Sequence, residues 1–415
     1  MKKPKIGVLS LGCPRNLVDT EMILSRLYSK GYSITDIDKA DIAILNTCAF
    51  IKEAKEESIE AILDFISLKK ESKIKKLIVY GCLVERYKEK LITLLKDVDA
   101  FVGRISLNHQ PKRIVLTPSH YAYVKINEGC INNCSFCIIP KIKLPLVSRT
   151  PESIIEEIRF LEKKGVKEIN LVGQDTTLYG KDLFDSTSLV FLLKKILKET
   201  KSIPWIRLLY LYPNRITDEL LQIIRKEERI CKYIDLPLQH VNNRILKLMN
   251  RNITKDKITE LIDKIRNTIP TVFIRTTFLV GFPTETDAEF EELLNFIKEF
   301  KFERLGTFIY SREEGTVAYN FKPQIHFRKK QTRFNIIMET QKAISEEINR
   351  SLLGRTLDVI IDEESDSFYL ARTQYDAPEV DGLVFVKKKY PLEKGKLLKV
   401  KITDTLEYDL VGDPL

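Results

Sequence analysis

Apolar positions follow two spacings along the chain. Short runs rich in consecutive or alternating apolar residues occupy 5–10, 41–46, 76–80 and 100–102. Between them, 15–30 and 53–68 repeat apolar residues every third or fourth position, as amphipathic helices do. This alternation predicts a small parallel sheet. Residues 106–119, with Asn108, Pro111, Pro118 and Ser119, break the pattern and read as a linker. The βα pattern then resumes and repeats about six times. Its strands are expected at 121–128, 168–173, 205–212, 233–238, 272–281 and 304–311, with helices between. One helix is expected over 151–164, with Pro151 in its first turn and Gly165 just past its end. Six βα units fit a partial barrel better than a closed eight-stranded one. A helical segment over 327–353 leads to Gly354, and strand-like runs at 357–361, 368–373, 383–386 and 397–403 predict a small antiparallel β-barrel. The fold class is therefore α/β with an appended β-barrel, and the expected divisions are 1–118, 119–349 and 350–415.

With 415 residues, 44% hydrophobic and 30% charged, the chain exceeds one ordinary core and has ample material for burial. No uninterrupted apolar run reaches bilayer length. The start, Met1 to Lys5, leads directly into a short strand-like run without the apolar region of a secretory signal. A cytoplasmic protein without a membrane partner is the expectation. The net charge of +10 fits an anionic partner such as RNA, or a lysine-rich proteome. Its distribution is uneven: 355–415 carries nine Lys/Arg and thirteen Asp/Glu, a balance of −4 that leaves +14 on the rest. An acidic terminal barrel would repel phosphates and suit a basic protein.

Seven cysteines in such a chain point to metal or catalytic chemistry rather than disulfides. Cys130, Cys134 and Cys137 form Cys-x3-Cys-x2-Cys just after the first expected barrel strand. Thiolates are the usual ligands of iron–sulfur clusters, and three of them leave one iron of a 4Fe–4S cluster open to an exogenous ligand. A zinc knuckle would need a second ligand pair, which does not follow here. Cys13, Cys48 and Cys82 each lie just beyond the end of an expected strand, where parallel sheets bind ligands. They either converge on a second cluster or are small, inert core residues. Cys231 has no sequence partner and reads as packing.

The Cys130–Cys137 loop, with Phe136 before its last cysteine, closely resembles the radical S-adenosylmethionine (SAM) superfamily. The whole chain resembles the methylthiotransferase family of those enzymes, in its RimO branch. The resemblance is carried by Gly12-Cys13-Pro14-Arg15-Asn16-Leu17-Val18-Asp19-Thr20-Glu21, Cys48-Ala49-Phe50-Ile51, Gly173-Gln174-Asp175-Thr176, Tyr310 to Thr316, Arg372 to Gly382 and Tyr408 to Gly412. It implies a methylthiotransferase domain, a radical SAM barrel and a carboxy-terminal TRAM barrel. It also implies two 4Fe–4S clusters, held by Cys13, Cys48, Cys82 and by Cys130, Cys134, Cys137, with SAM as radical source and methyl donor. The barrel cluster would cleave SAM, the radical would take a substrate hydrogen, and sulfur from the other cluster would quench the carbon radical. Phe136 would pack near the adenine. Other SAM contacts are expected at strand ends, from Gly173 and Gln174 to the methionyl end and from Val280 and Gly281 to the nucleoside; these glycines otherwise serve turns. Asp235, Pro237, Gln239 and His240 are expected to line the cavity, with a structural hydrogen bond as the other reading of His240. No catalytic acid or base is implied.

The RimO branch modifies an aspartate of the twelfth protein of the small ribosomal subunit (S-twelve), with an electron donor the sequence does not identify. The alternatives are the same chemistry on a tRNA adenosine, and a non-catalytic iron–sulfur sensor or RNA-binding protein. Two departures from the family pattern stand out. Lys143-Leu144 occupy the place of a common Arg-Gly, and Thr284 that of a common glycine.

Overall fold

The computed structural model describes residues 3–103, 112–143, 145–183 and 187–415. Part of the expected linker, including Asn108 and Pro111, and Leu144 of the Lys143-Leu144 pair lie outside them. The amino-terminal unit is a five-stranded parallel sheet. Ser33–Ile34, Lys5–Ser10, Ile42–Thr47, Lys76–Gly81 and Ala100–Val102 lie side by side in that order. Helices Pro14–Ser29, Lys52–Lys70 and Cys82–Leu94 follow its three central strands. The two-residue edge strand Ser33–Ile34 and the helix after Cys82 are additions to the elements expected from periodicity.

Six parallel strands then form the partial barrel. Tyr121–Lys125, Glu168–Val172 and Trp205–Leu208 make one half; Tyr233–Gln239, Phe273–Val280 and Arg304–Ile309 make the other. Between the halves the strands splay, and the seam is bridged at Ile206 and Ile230. Burial is nearly complete along the first five of these strands, as expected where helices cover one face and the barrel interior the other; the last, Arg304–Ile309, is only partly buried. Helix Pro151–Lys163 shows why such segments start where they do: Thr150 caps it by accepting from the Ser153 N–H, and Pro151 fills the first turn.

The first strand is shorter than its apolar run. It ends at Lys125, and Asn127–Glu128 pairs instead with Val147–Ser148. The third ends at Leu208 because Tyr210 turns into the left-handed region, φ 59°. Both departures occur at the carboxy-terminal ends of strands, where the site is built.

After helix Phe327–Arg350 comes a closed five-stranded barrel of Thr356–Glu364, Phe368–Thr373, Val384–Lys387, Leu397–Thr405 and Leu410–Pro414. Four of its pairings are antiparallel, and one, between Val384–Lys387 and Leu410–Pro414, is parallel. Its segment 372–381 covers the opposite end of the radical barrel, at the starts of the strands. Arg372 pairs with Glu168 at 2.9 Å, Arg304 with Asp376 at 2.6 Å, and Arg207 donates to the Gln374 carbonyl at 2.7 Å. The hydroxyls of Tyr121 and Tyr233 donate to Glu379 and Asp381 at 2.9 and 2.7 Å. Thr284 adopts φ 70°, the left-handed region, which explains why a glycine suits that turn. Here Arg244 binds both its carbonyl, at 2.8 Å, and its hydroxyl, at 3.0 Å.

Glu168 is fully buried between Arg207, at 2.8 Å, and Arg372. Removing one member of a buried charge group leaves the others unpaired in low dielectric. Glu168→Ala is therefore expected to cost about 3–5 kcal/mol in urea unfolding, and an unchanged midpoint would refute this role for the floor contacts.

Candidate active site

Three neighbouring strands of the amino-terminal sheet deliver the first set of thiols. Ser10 stands opposite Asn46, and Thr47 opposite Gly81, so Cys48 and Cys82 leave the sheet side by side. Cys13 sits at the start of helix Pro14–Ser29, and Cys82 opens helix Cys82–Leu94. The turns are pinned by buried polar groups. Asn46 donates to the Asn16 carbonyl at 2.8 Å and to the Thr20 hydroxyl at 2.9 Å. Ser58 both accepts from the Cys48 N–H and donates to its carbonyl, each at 3.0 Å. Gly12, at φ 87°, passes so close to Cys48 that an added Cβ would lie 2.7 Å from its Cβ and 2.9 Å from its Sγ. Only glycine allows that approach.

The Cys130–Cys137 loop is stapled to several barrel strands. Asn132 donates to Asp175 at 2.7 Å, and Arg215 bonds both Asp175 and Asn132 at 2.7 Å. Ser135 binds the carbonyls of Met249 and Leu248, and Asn250 holds the Asn133 carbonyl at 2.7 Å. Phe136 packs against the hydrophobic cluster that contains Leu279, Phe282 and Tyr310.

Two connections bring the sets together. Ile138 and Ile142, just past Cys137, join the amino-terminal core that contains Cys82 and Leu83. Arg15 donates from Nη1 to the Gly173 carbonyl at 2.8 Å, and its guanidinium lies 4.9 Å from the Tyr210 ring centroid. Its charge acts on the thiols of both Cys13 and Cys137. Burial pushes Cys82 and Cys137 up to about 12 and also raises Cys48 and Cys130. At Cys13 burial acts the same way, but Arg15, the Asn16 N–H and Lys143 outweigh it and hold the thiol below its ordinary value. All six thiols are free. Among the described residues no His, Cys, Asp or Glu group closes around a single metal ion; a four-iron cluster is larger than one ion and spreads its thiolates further. Three free thiols per set, and a Gly12 that brings no Cβ against the Cys48 sulfur, fit such clusters.

Residues 124–297 match the family model of the radical SAM superfamily, 5–103 that of the uncharacterized protein family UPF0004, and 353–415 that of the TRAM domain. The ribosomal protein uS12 methylthiotransferase RimO of Thermoanaerobacter sp. (strain X514) is 47% identical, covering 98% of this chain and 99% of its own. Those of Clostridioides difficile (strain 630) and Caldanaerobacter subterraneus subsp. tengcongensis are 45% and 48% identical, over 99% and 98% of this chain and 99% of their own. The chain belongs to the family of ribosomal protein uS12 methylthiotransferases RimO. The fold is also similar to that of the radical SAM methyltransferase TsrM from Kitasatospora setae. The TM-score is 0.54 at 12% identity, over 89% of this chain and 81% of that one.

In this RimO-family chain the remaining expected residues fall in distinct places. Gly173 lies against Asn127, whose Oδ1 would stand 1.9 Å from an added Cβ. Gln174 donates to Glu128 at 3.0 Å, and its own oxygen is buried without a hydrogen-bond partner among the described residues. The Val280 carbonyl accepts from the Tyr310 N–H at 2.9 Å. The Lys330 stem fills the space beside Gly281, 2.4 Å from an added Cβ, so packing alone accounts for that glycine. Asp235 accepts from the Tyr210 N–H at 2.8 Å and pairs with Arg275 at 3.2 Å. The Pro237 carbonyl accepts from Arg251, and Gln239 adopts φ 72° as its strand ends. His240 is fully buried and accepts at Nδ1 from the Asn242 N–H at 3.0 Å, which is the structural reading. Cys231 is buried in apolar surroundings.

A charge cluster between the two units has no counterpart in the sequence reading. Lys125 pairs with Asp19 and with Glu128, the latter at 2.6 Å, and Lys143 reaches Glu128 at 3.1 Å and Asp19 at 3.8 Å. Burial would raise the Glu128 carboxyl, but the two lysines hold it well below the usual carboxylate range. Lys143 thus keeps the charge of the arginine it replaces. The signal available in sequence was the departure itself, not its partners.

Reconstituted without oxygen, with excess iron and sulfide, the wild-type chain is expected to take up two clusters. Replacing Cys13, Cys48 and Cys82 together by alanine should leave about half the iron, and replacing Cys130, Cys134 and Cys137 the other half. Cys231→Ala should lose none. Full iron uptake by the first triple variant would remove the second cluster from the account.

Proposed function

We propose that the chain is a radical SAM methylthiotransferase that adds a methylthio group to the β-carbon of an aspartate of ribosomal protein uS12. What supports this reading is the contact between the segments that carry the two thiol sets: Arg15, two residues past Cys13, donates to the Gly173 carbonyl of the barrel, and Ile138 and Ile142, just past Cys137, pack in the amino-terminal core. One three-thiol site suffices to cleave SAM; a second, beside it, is what sulfur insertion needs. When bound, the cofactors supply one-electron cleavage of SAM at the Cys130, Cys134 and Cys137 cluster, a sulfur atom at the Cys13, Cys48 and Cys82 cluster, and the methyl group.

The chain's own residues position these groups and keep water out. The Asn16, Asn46 and Ser58 bonds fix the amino-terminal thiols. Asp175, Arg215 and Asn250 fix the loop of the others. The buried, unpartnered Gln174 oxygen suits the ammonium of SAM, and Phe136 offers the adenine an aromatic face. Among the described residues no helix is long and apolar enough to cross a membrane.

The uS12 reading rests on relatives that match end to end. Mass spectrometry of uS12 and of bulk tRNA, from cells with and without the gene, tests it. Loss of the methylthio group from uS12 alone is the expected result. Loss from a tRNA adenosine with uS12 unchanged would overturn the reading in favour of the nucleic-acid substrate.

A further inference from the structure

Most basic side chains around the two thiol sets are already paired with carboxylates of the chain. Lys125 and Lys143 hold Asp19 and Glu128, Arg215 holds Asp175, and Arg275 holds Asp235 and Asp381. Arg15 is different. Among the described residues no carboxylate lies within salt-bridge distance of it. It donates to the Gly173 carbonyl at 2.8 Å and points another donor toward the Cys13 thiol. Arg251 also has no carboxylate within salt-bridge distance among the described residues, but it lies 4.2 Å from the Tyr212 ring and donates to the Pro237 carbonyl, on the barrel side alone.

Arg15 is partly exposed, and its guanidinium lies over the ring of Tyr210. Tyr210 itself sits at φ 59°, a conformation that large side chains seldom adopt, fixed by its N–H bond to Asp235 at 2.8 Å and by the Thr176 N–H at 3.1 Å on its carbonyl. Backbone strain of this kind persists where the surroundings demand it, often at ligand sites. The result is a flat, positively charged fork, with donors to spare, between the two sets of thiols.

We infer that Arg15 anchors the carboxylate of the substrate aspartate, resting on the uS12 reading above. A guanidinium binds a carboxylate in two parallel bonds and so fixes its plane as well as its position. In an aspartate side chain the β-carbon is bonded directly to the carboxylate carbon. Holding the carboxylate therefore holds the carbon that must lose hydrogen on the barrel side and gain sulfur on the amino-terminal side. A nucleobase has no anion to offer at this point. Arg15 is thus a specificity-determining residue for an acidic side chain on a basic protein segment.

The test uses reconstituted holoenzyme and two fluorescent peptides. One carries the uS12 segment around the modified aspartate; the other has asparagine in its place. Binding is read by anisotropy, with iron content and SAM affinity measured on every variant. Wild type is expected to prefer the aspartate peptide by about tenfold. Arg15→Gln should bind both peptides alike and Arg15→Lys, which keeps the charge beside Cys13, should recover part of the preference, each read on protein matched with wild type for iron content and saturated with SAM. The inference is overturned if wild type shows no preference, or if Arg15→Gln retains it. It is equally overturned if Arg15→Lys recovers none of it. A wild-type protein that binds neither peptide sinks the uS12 reading and this inference with it.

Discussion

The site depends on one constraint: the amino-terminal sheet must stay locked against the open flank of the partial barrel. A six-stranded barrel leaves two edges unpaired. Helix Pro14–Ser29 covers the first strand, where Lys125 reaches Asp19 and Arg113 binds Glu21 and Glu157. At the other edge, past the last strand, Lys55 and Arg86 hold Glu313 at 2.6 and 2.7 Å. Many of these charges are buried, and burying ion pairs is costly compared with apolar packing of equal volume. Their value here is geometric. Directional bonds fix two units in one register, whereas an apolar face tolerates sliding.

The carboxy-terminal barrel contributes at the other end. Its acidic balance suggests a surface for a basic partner, but Asp362, Asp376 and Asp381 face inward and pair with His120 and with Arg372, Arg304 and Arg275. Part of the acidic excess is therefore spent closing the barrel floor. The motif from Arg372 to Gly382, prominent in the sequence, is explained by that contact. Net charge by segment could not separate inward from outward groups.

Periodicity made the strands and the long helices legible, because burial on one or both faces imposes it directly. The bounds of Lys5–Ser10, Ala100–Val102 and Phe368–Thr373 agree with their apolar runs. The reading failed in two kinds of place. Ser33–Ile34 is too short to show a period, and Leu410–Pro414 contains Gly412 and Asp413, which hide it. The other misses lie at the site, where local rules give way to function. The run 205–212 reads as one strand, yet Tyr210 must leave the sheet to meet Arg15. Cys130, Cys134 and Cys137 stood out by their spacing, whereas strand ends marked Cys13, Cys48 and Cys82 and left the small-core-residue reading open in the absence of the family resemblance. Arg15 was visible only as part of a motif, because its partner Gly173 lies 158 positions away. Lys143 was visible only as a departure, because its meaning resides in Asp19 and Glu128.

The central claim is that both thiol sets serve a single cavity. Pulsed electron paramagnetic resonance on the reduced, doubly loaded protein measures it directly, through the magnetic coupling between the two clusters. Strong dipolar coupling, abolished when the cysteines of either set are replaced, is the predicted result. Two clusters that relax independently of each other would contradict it.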